Sequence, residues 1–114
     1  MKAIPVLLLA LVLSGCAGII SENKGAVQSG KALGIEIGSD RDTAKRVLIA
    51  NGYANHFTTT SCNSVKHLKF TCEPNDEVDT SLYTKGAGNG VVYIISRNNV
   101  VVAIEWSGHH LPII

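Results

Sequence analysis

Residues 3–13 read AIPVLLLALVL, a run without a charge, and they constrain this chain more than anything that follows. Lys2 stands before the run, and Ser14-Gly15 follow it. A positively charged start, a short apolar stretch and small residues ahead of a cut describe a secretory signal. The run is too short to span a bilayer, which takes about 20 apolar residues. A buried N-terminal helix is the competing reading, and Pro5 fits it poorly. Residues 1–15 are therefore read as a signal peptide, so 99 of the 114 residues remain to fold. Losing Lys2 leaves nine Lys and Arg against nine Asp and Glu, formally neutral. Such a balance gives no reason to expect a nucleic-acid partner or a polybasic membrane patch.

The end of the run is more specific. Leu13-Ser14-Gly15-Cys16 resembles the lipobox of bacterial lipoproteins. In that family small residues admit the signal peptidase, and the cysteine sulfur takes a diacylglycerol. The resemblance implies lipidation at Cys16 and a membrane partner reached through the lipid. One acyl chain holds only marginally, at about 0.8 kcal/mol per buried methylene, whereas two or three anchor durably. In such lipoproteins an Asp after the cysteine favours inner-membrane retention. Ala17 stands there, so the resemblance implies the outer membrane, facing the periplasm.

Of three cysteines, Cys62 and Cys72 remain once Cys16 is set aside. An even pair in an exported chain reads first as a disulfide. Nine residues separate them, which is not the short Cys-x-x-Cys spacing of redox or zinc sites.

Residues 16–35 are poor in periodicity and rich in glycine and serine, so they read as the lipidated cysteine and a flexible tether. A short helix over 27–33 stays open. The domain then covers residues 36–114. Its clearest helix starts at Gly38-Ser39-Asp40-Arg41-Asp42, with Ser39 as N-cap and Asp42 completing a capping box. Ala44, Val47 and Leu48 share a face, and Asn51-Gly52 ends the helix. Beyond it the period falls to two. Residues 56–60 and 65–72 read as strands, the second with Leu68, Phe70 and Cys72 on one face. Residues 73–79 are acidic and read as a solvated loop, without the ligand spacing of an EF-hand. Residues 85–90, KGAGNG, lack the Lys-Ser or Lys-Thr of a P-loop and read as a mobile connection.

The last element is a hairpin, Val91–Arg97 and Val100–Trp106 about Asn98-Asn99. A two-residue turn predicts Ile95 opposite Val102, Tyr93 opposite Ile104 and Val91 opposite Trp106, on the face that buries the helix. The other face carries Val92, Ile94, Ser96, Val101, Ala103 and Glu105, too apolar to meet water. It is covered by the N-terminal segment or it docks a partner. Ile94, Val101, Ala103 and Glu105 are the candidate partner-binding residues. Trp106 and Tyr93 are expected to complete the core.

Candidate chemistry is sparse. His109 and His110 point opposite ways on a strand and chelate poorly, so a metal would need His56 or His67 as well. No Gly-x-Ser-x-Gly elbow occurs and no carboxylate pair has an acid–base frame. The expectation is no catalytic residue, no metal and no cofactor. The order of anchor, tether, Ile37-Gly38-Ser39 into a helix holding Leu48, Gly52 after it and then antiparallel strands resembles the SmpA/OmlA (BamE-like) lipoproteins, and more loosely the β-lactamase-inhibitor-like domains. Ala50-Asn51-Gly52-Tyr53 departs from the Leu-Gly-x-Pro-like turn usual there. The resemblance implies an α+β domain, one or two helices on one face of a three- to four-stranded antiparallel sheet. It also implies a non-catalytic scaffold that binds another envelope protein. The alternative is an inhibitor or exclusion factor that inserts a loop such as residues 73–90.

Overall fold

The computed structural model describes residues 23–109 and 111. Residues 1–15, expected to be a signal peptide, and Cys16 lie outside them. Among the described residues the fold is α+β, with one helix and more strands than the three or four expected. In chain order these are β1 (Asn23–Val27), β2 (Lys31–Ala32), β3 (Ile35–Glu36), α1 (Arg41–Ala50), β4 (Ala54–Thr59), a 3-10 turn (Cys62–Ser64), β5 (Glu77–Tyr83), β6 (Asn89–Arg97) and β7 (Val100–His109). Five strands form an antiparallel sheet in the order β1-β7-β6-β5-β4, and β2 pairs with β3 separately.

The expected tether is thus built into the fold from Asn23 onward. β1 adds to the sheet edge, with Gly25 opposite Trp106. A Cβ on Gly25 would come within 2.2 Å of the Trp106 ring, so the glycine that reads as a linker signal makes room for an indole. Edge pairing rests on backbone groups, and side-chain periodicity does not announce it. No helix forms over 27–33.

Helix α1 starts one residue later than its sequence suggests. Asp40, not Ser39, is the N-cap, and its carboxylate accepts from the N–H groups of Asp42 and Thr43. The carboxylate also suits the positive end of the helix dipole. The Ser39 hydroxyl instead donates to the Glu36 carbonyl. The C-terminal end behaves as expected. Gly52 takes φ +94°, and the Tyr53 N–H reaches back to the Leu48 carbonyl at 3.0 Å.

The Asn98-Asn99 turn forms, with φ 53° and 64°, the positive pair a type I′ turn requires. A bulge at Ile95/Ser96 then offsets the register. Ile95 faces Ala103, Ile94 faces Ile104, Tyr93 faces Glu105 and Val92 faces Trp106. One extra residue on β7 swaps the faces beyond it. The helix therefore packs on Val92, Ile94, Val101 and Ile104 through Ala44 and Leu48, with Trp106 partly buried at the margin.

The opposite face is covered as well. Cys62, Val78, Ile95 and Ala103 form a second core, against which Val65, Leu68, Phe70 and Cys72 pack. Residues 65–72 are not the expected strand. They run irregularly across the sheet, and the Cys62–Cys72 disulfide closes them, with α-carbons 5.7 Å apart. The chain folds back over the sheet here instead of pairing as a strand. Segment 73–79 is also corrected. Its second half begins β5, a central strand whose Val78, Asp79, Thr80 and Ser81 are buried.

Candidate functional site

The four residues nominated for partner binding are occupied within this chain. Ile94 and Val101 are fully buried in the helix-side core, and Ala103 lies in the second core. Glu105, 7% exposed, accepts from the backbone N–H groups of Lys69 and Phe70 at 2.9 and 2.8 Å. The face they share in the predicted register is split by the bulge and then covered on both sides. Glu105 instead holds the disulfide loop down on β7.

That loop creates a groove. Lying over the half of the sheet near Val78, Ile95 and Ala103, it leaves the other half of the same face open. The resulting cleft, about 340 Å³, is lined by Lys24, His67, Lys69, Tyr93, Glu105 and Trp106, with Gly25 and Ser107 completing it. This volume falls within the range of small-molecule sites. Its floor is the β1–β7–β6 surface, where Lys24 lies opposite Ser107 and Tyr93 opposite Glu105. One wall is the disulfide loop. Between its cysteines the loop carries Lys66, His67 and Lys69 and no acid. The carboxylate in the groove already accepts two amide hydrogens, so the groove meets a ligand mainly with cations and an aromatic ring.

A second polar cluster sits under the N-terminal half of α1. Arg41 grips Asp79 with two hydrogen bonds, Nε to Oδ2 at 2.6 Å and one terminal nitrogen to Oδ1 at 2.9 Å. Thr58 donates to the same carboxylate at 2.6 Å. Glu77 and Lys45 stand at 3.6 and 4.0 Å from members of the pair. Burial pushes the Asp79 carboxyl up, but the hydrogen bonds from Arg41 and Thr58 and the charges of Arg41 and Lys45 outweigh it. The carboxyl is held below the usual range. The same contact holds the Arg41 guanidinium firmly protonated.

A parallel clamp lies at the end of β6. Arg97 donates twice to Asp76, both at 2.9 Å, and pairs with Glu73 at 2.6 Å. The bonds from Arg97 keep the fully buried Asp76 carboxyl low. Asp76 and Asp79, two of the four acids in the supposed solvated loop, are therefore structural anchors.

The histidines do not converge. His56 Nδ1 lies 2.5 Å from the Ser81 hydroxyl, while its Nε2 lies 3.2 Å from the Tyr53 carbonyl. Ser81 is fully buried, so the pair braces β4 against β5 and offers no nucleophile to a substrate. His67 and His109 are exposed on separate elements, and His110 lies outside the described residues. Among the described residues no group of three His, Cys, Asp or Glu could hold a metal. No helix among them is long and apolar enough to cross a membrane.

Sequence reasoning missed the groove because its residues come from β1, the disulfide loop, β6 and β7. The acid-free loop was the one legible signal. Comparison with known families, curated proteins and solved structures finds no match.

Proposed function

We propose that this chain is an envelope lipoprotein: a small non-catalytic binding or scaffold module, held by lipid on Cys16 at a bacterial outer membrane and facing the periplasm. The observation that carries this reading is Leu13-Ser14-Gly15-Cys16 at the end of an uncharged apolar run. The Cys62–Cys72 disulfide supports export, since such bonds persist in oxidising compartments. A non-catalytic role is supported by how the polar groups are used. Asp76, Asp79 and Glu105 are each consumed in holding the fold together. A scaffold role is also what the SmpA/OmlA (BamE-like) resemblance implies, and a helix on one face of an antiparallel sheet agrees with it at the level of fold class. For protein contact, the edge strand β4 presents Phe57, 55% exposed. An edge of this kind suits β-strand addition by a partner.

Affinity capture of the lipidated protein from solubilised membranes tests the reading. A scaffold recovers a stoichiometric envelope complex, and Phe57→Lys weakens it. Recovery of an enzyme whose activity falls on adding the protein would favour an inhibitor instead. Such an inhibitor would not act by inserting residues 73–90 as one loop, since β5 holds Glu77–Tyr83 at the interior of the sheet.

A further inference from the structure

We propose that the Cys62–Cys72 bond is a redox-sensitive catch on a flap: a dithiol reductant that opens it frees residues 62–72 from the sheet, while the helix-side core stays folded. The inference goes beyond the anchor reading and stands on the structure of the domain alone.

The flap is closed at its base without the bond. Residues 60–76 join β4 to β5, and Thr59 pairs with Val78, Thr58 with Asp79 and Phe57 with Thr80. Arg97 clamps Asp76 with two hydrogen bonds, and Arg41 clamps Asp79 with two more. The bond is therefore not what joins the two strands; it holds down the connection between them. Within that connection no strand pairing holds residues 65–72. Glu105 accepts from the Lys69 and Phe70 N–H groups. Val65, Leu68 and Phe70 pack half-buried against the core of Val78, Ile95 and Ala103. The disulfide completes the hold. His67 takes φ +78°, a left-handed conformation that costs most residues other than glycine, so the closed flap carries strain that opening relieves. The helix-side core draws none of its members from residues 62–72, so lifting the flap leaves it in place.

The two sulfurs differ in access. Cys62 is 2% exposed and belongs to the second core, whereas Cys72 is half-buried at its margin. A thiolate therefore attacks Cys72 Sγ. The new S–S bond forms as the Cys62–Cys72 bond breaks, and Cys62 leaves as a thiolate that takes a proton from water. The reductant's second thiol, deprotonated, then attacks its own sulfur in the mixed disulfide and releases the Cys72 thiolate, which is protonated in turn. Both cysteines end as thiols and the reductant ends as a disulfide. Lys66 and Lys69, with no acid between the cysteines, favour the departing thiolate. Glu73, next to Cys72, has its charge taken up by Arg97 at 2.6 Å. Lifting the flap bares Val78, Ile95 and Ala103, which lie side by side on neighbouring strands. That stripe meets the edge strand at Thr59, two residues from the exposed Phe57.

Nuclear magnetic resonance of the intact protein, with and without dithiothreitol, tests the proposal. We expect the Lys69 and Phe70 amides to exchange about thirtyfold faster after reduction, the loop-closure factor for a ten-residue separation. The backbone signals of Ala44, Leu48 and Val92 should keep their folded chemical shifts, and reoxidation should restore the flap. With glutathione, a monothiol, the trapped mixed disulfide should sit on Cys72. Unchanged exchange at Lys69 and Phe70 in fully reduced protein would overturn the proposal. So would collapse of the Ala44, Leu48 and Val92 signals to unfolded positions, since the bond would then staple the whole domain. A bond that dithiothreitol opens only in denaturing urea, or glutathione trapped on Cys62, would refute the assigned attack and the catch with it.

Discussion

Replacing Asp79 alone is expected to destabilise this protein far more than replacing it together with Arg41. Asp79 is 1% exposed and accepts three hydrogen bonds, two from Arg41 and one from Thr58. The Asp79→Leu variant leaves a guanidinium, 17% exposed in its side chain, facing an apolar group. Breaking a buried pair at one end costs about 3–5 kcal/mol. Glu77, 3.6 Å from Arg41, keeps part of the charge compensated, which puts the expectation near about 3 kcal/mol. The double variant Arg41→Met with Asp79→Leu removes both charges and fills the space with apolar atoms, an exchange that is often close to neutral. A four-member cycle of urea unfolding curves at pH 7, with the disulfide intact, measures the coupling. At a slope of about 1 kcal/mol per molar the single variant should lose roughly 3 M in midpoint. A loss below about 1 kcal/mol for Asp79→Leu would refute the reasoning, as would a double variant equal to the sum of the two singles.

The same carboxylates set the acid limit. Asp76 and Asp79 bind protons more readily in the unfolded chain than in the folded one, so stability should be full above about pH 4 and fall as pH drops through their lowered folded values; urea titrations from pH 5 to 2 check this. At the alkaline end burial, followed by the charge of Tyr83, pushes Tyr53 up to about 12, so its contribution should hold below about pH 10 and fade as pH approaches that value, which absorbance of the ionised ring would follow. Leu48→Ala, at a fully buried helix position, should cost about 2–5 kcal/mol in the same unfolding assay. Gly25→Val should detach β1 through its clash with Trp106, read as faster amide exchange confined to β1 and the facing residues of β7. Replacing Cys62 and Cys72 with serine should cost about 3 kcal/mol, the chain-entropy value for a ten-residue separation.

Much of the helical part was legible because its signals are local. Asp40 to Asp42, Ala44, Leu48 and Asn51-Gly52 carry cap, stripe and stop within a dozen positions, and the N-cap moved by only one residue. The Asn98-Asn99 turn was readable for the same reason. The register beyond it was not. A bulge on β7 opposite Ile95/Ser96 has no local signature, yet it set Ile104 and Trp106 beside Ile94 and Val92 instead of Tyr93 and Val91, and the helix packs on that face. The unexpected apolarity of both faces held the correct clue, that both are covered. β5 was hidden because its acids looked like loop residues, although Asp76 and Asp79 were waiting for Arg97 and Arg41, 21 and 38 positions away. A charge pair of that separation cannot be read from spacing. The groove escaped for the same reason, since its lining comes from four separate segments.

The measurement closest to the centre of this account is the intact mass of the protein extracted from bacterial membranes. The account predicts a chain that begins at Cys16, heavier than its residues by a diacylglycerol with or without a further acyl group, and lighter by two hydrogens for the closed Cys62–Cys72 bond. A chain that still begins at Met1 and carries no fatty adduct would contradict it.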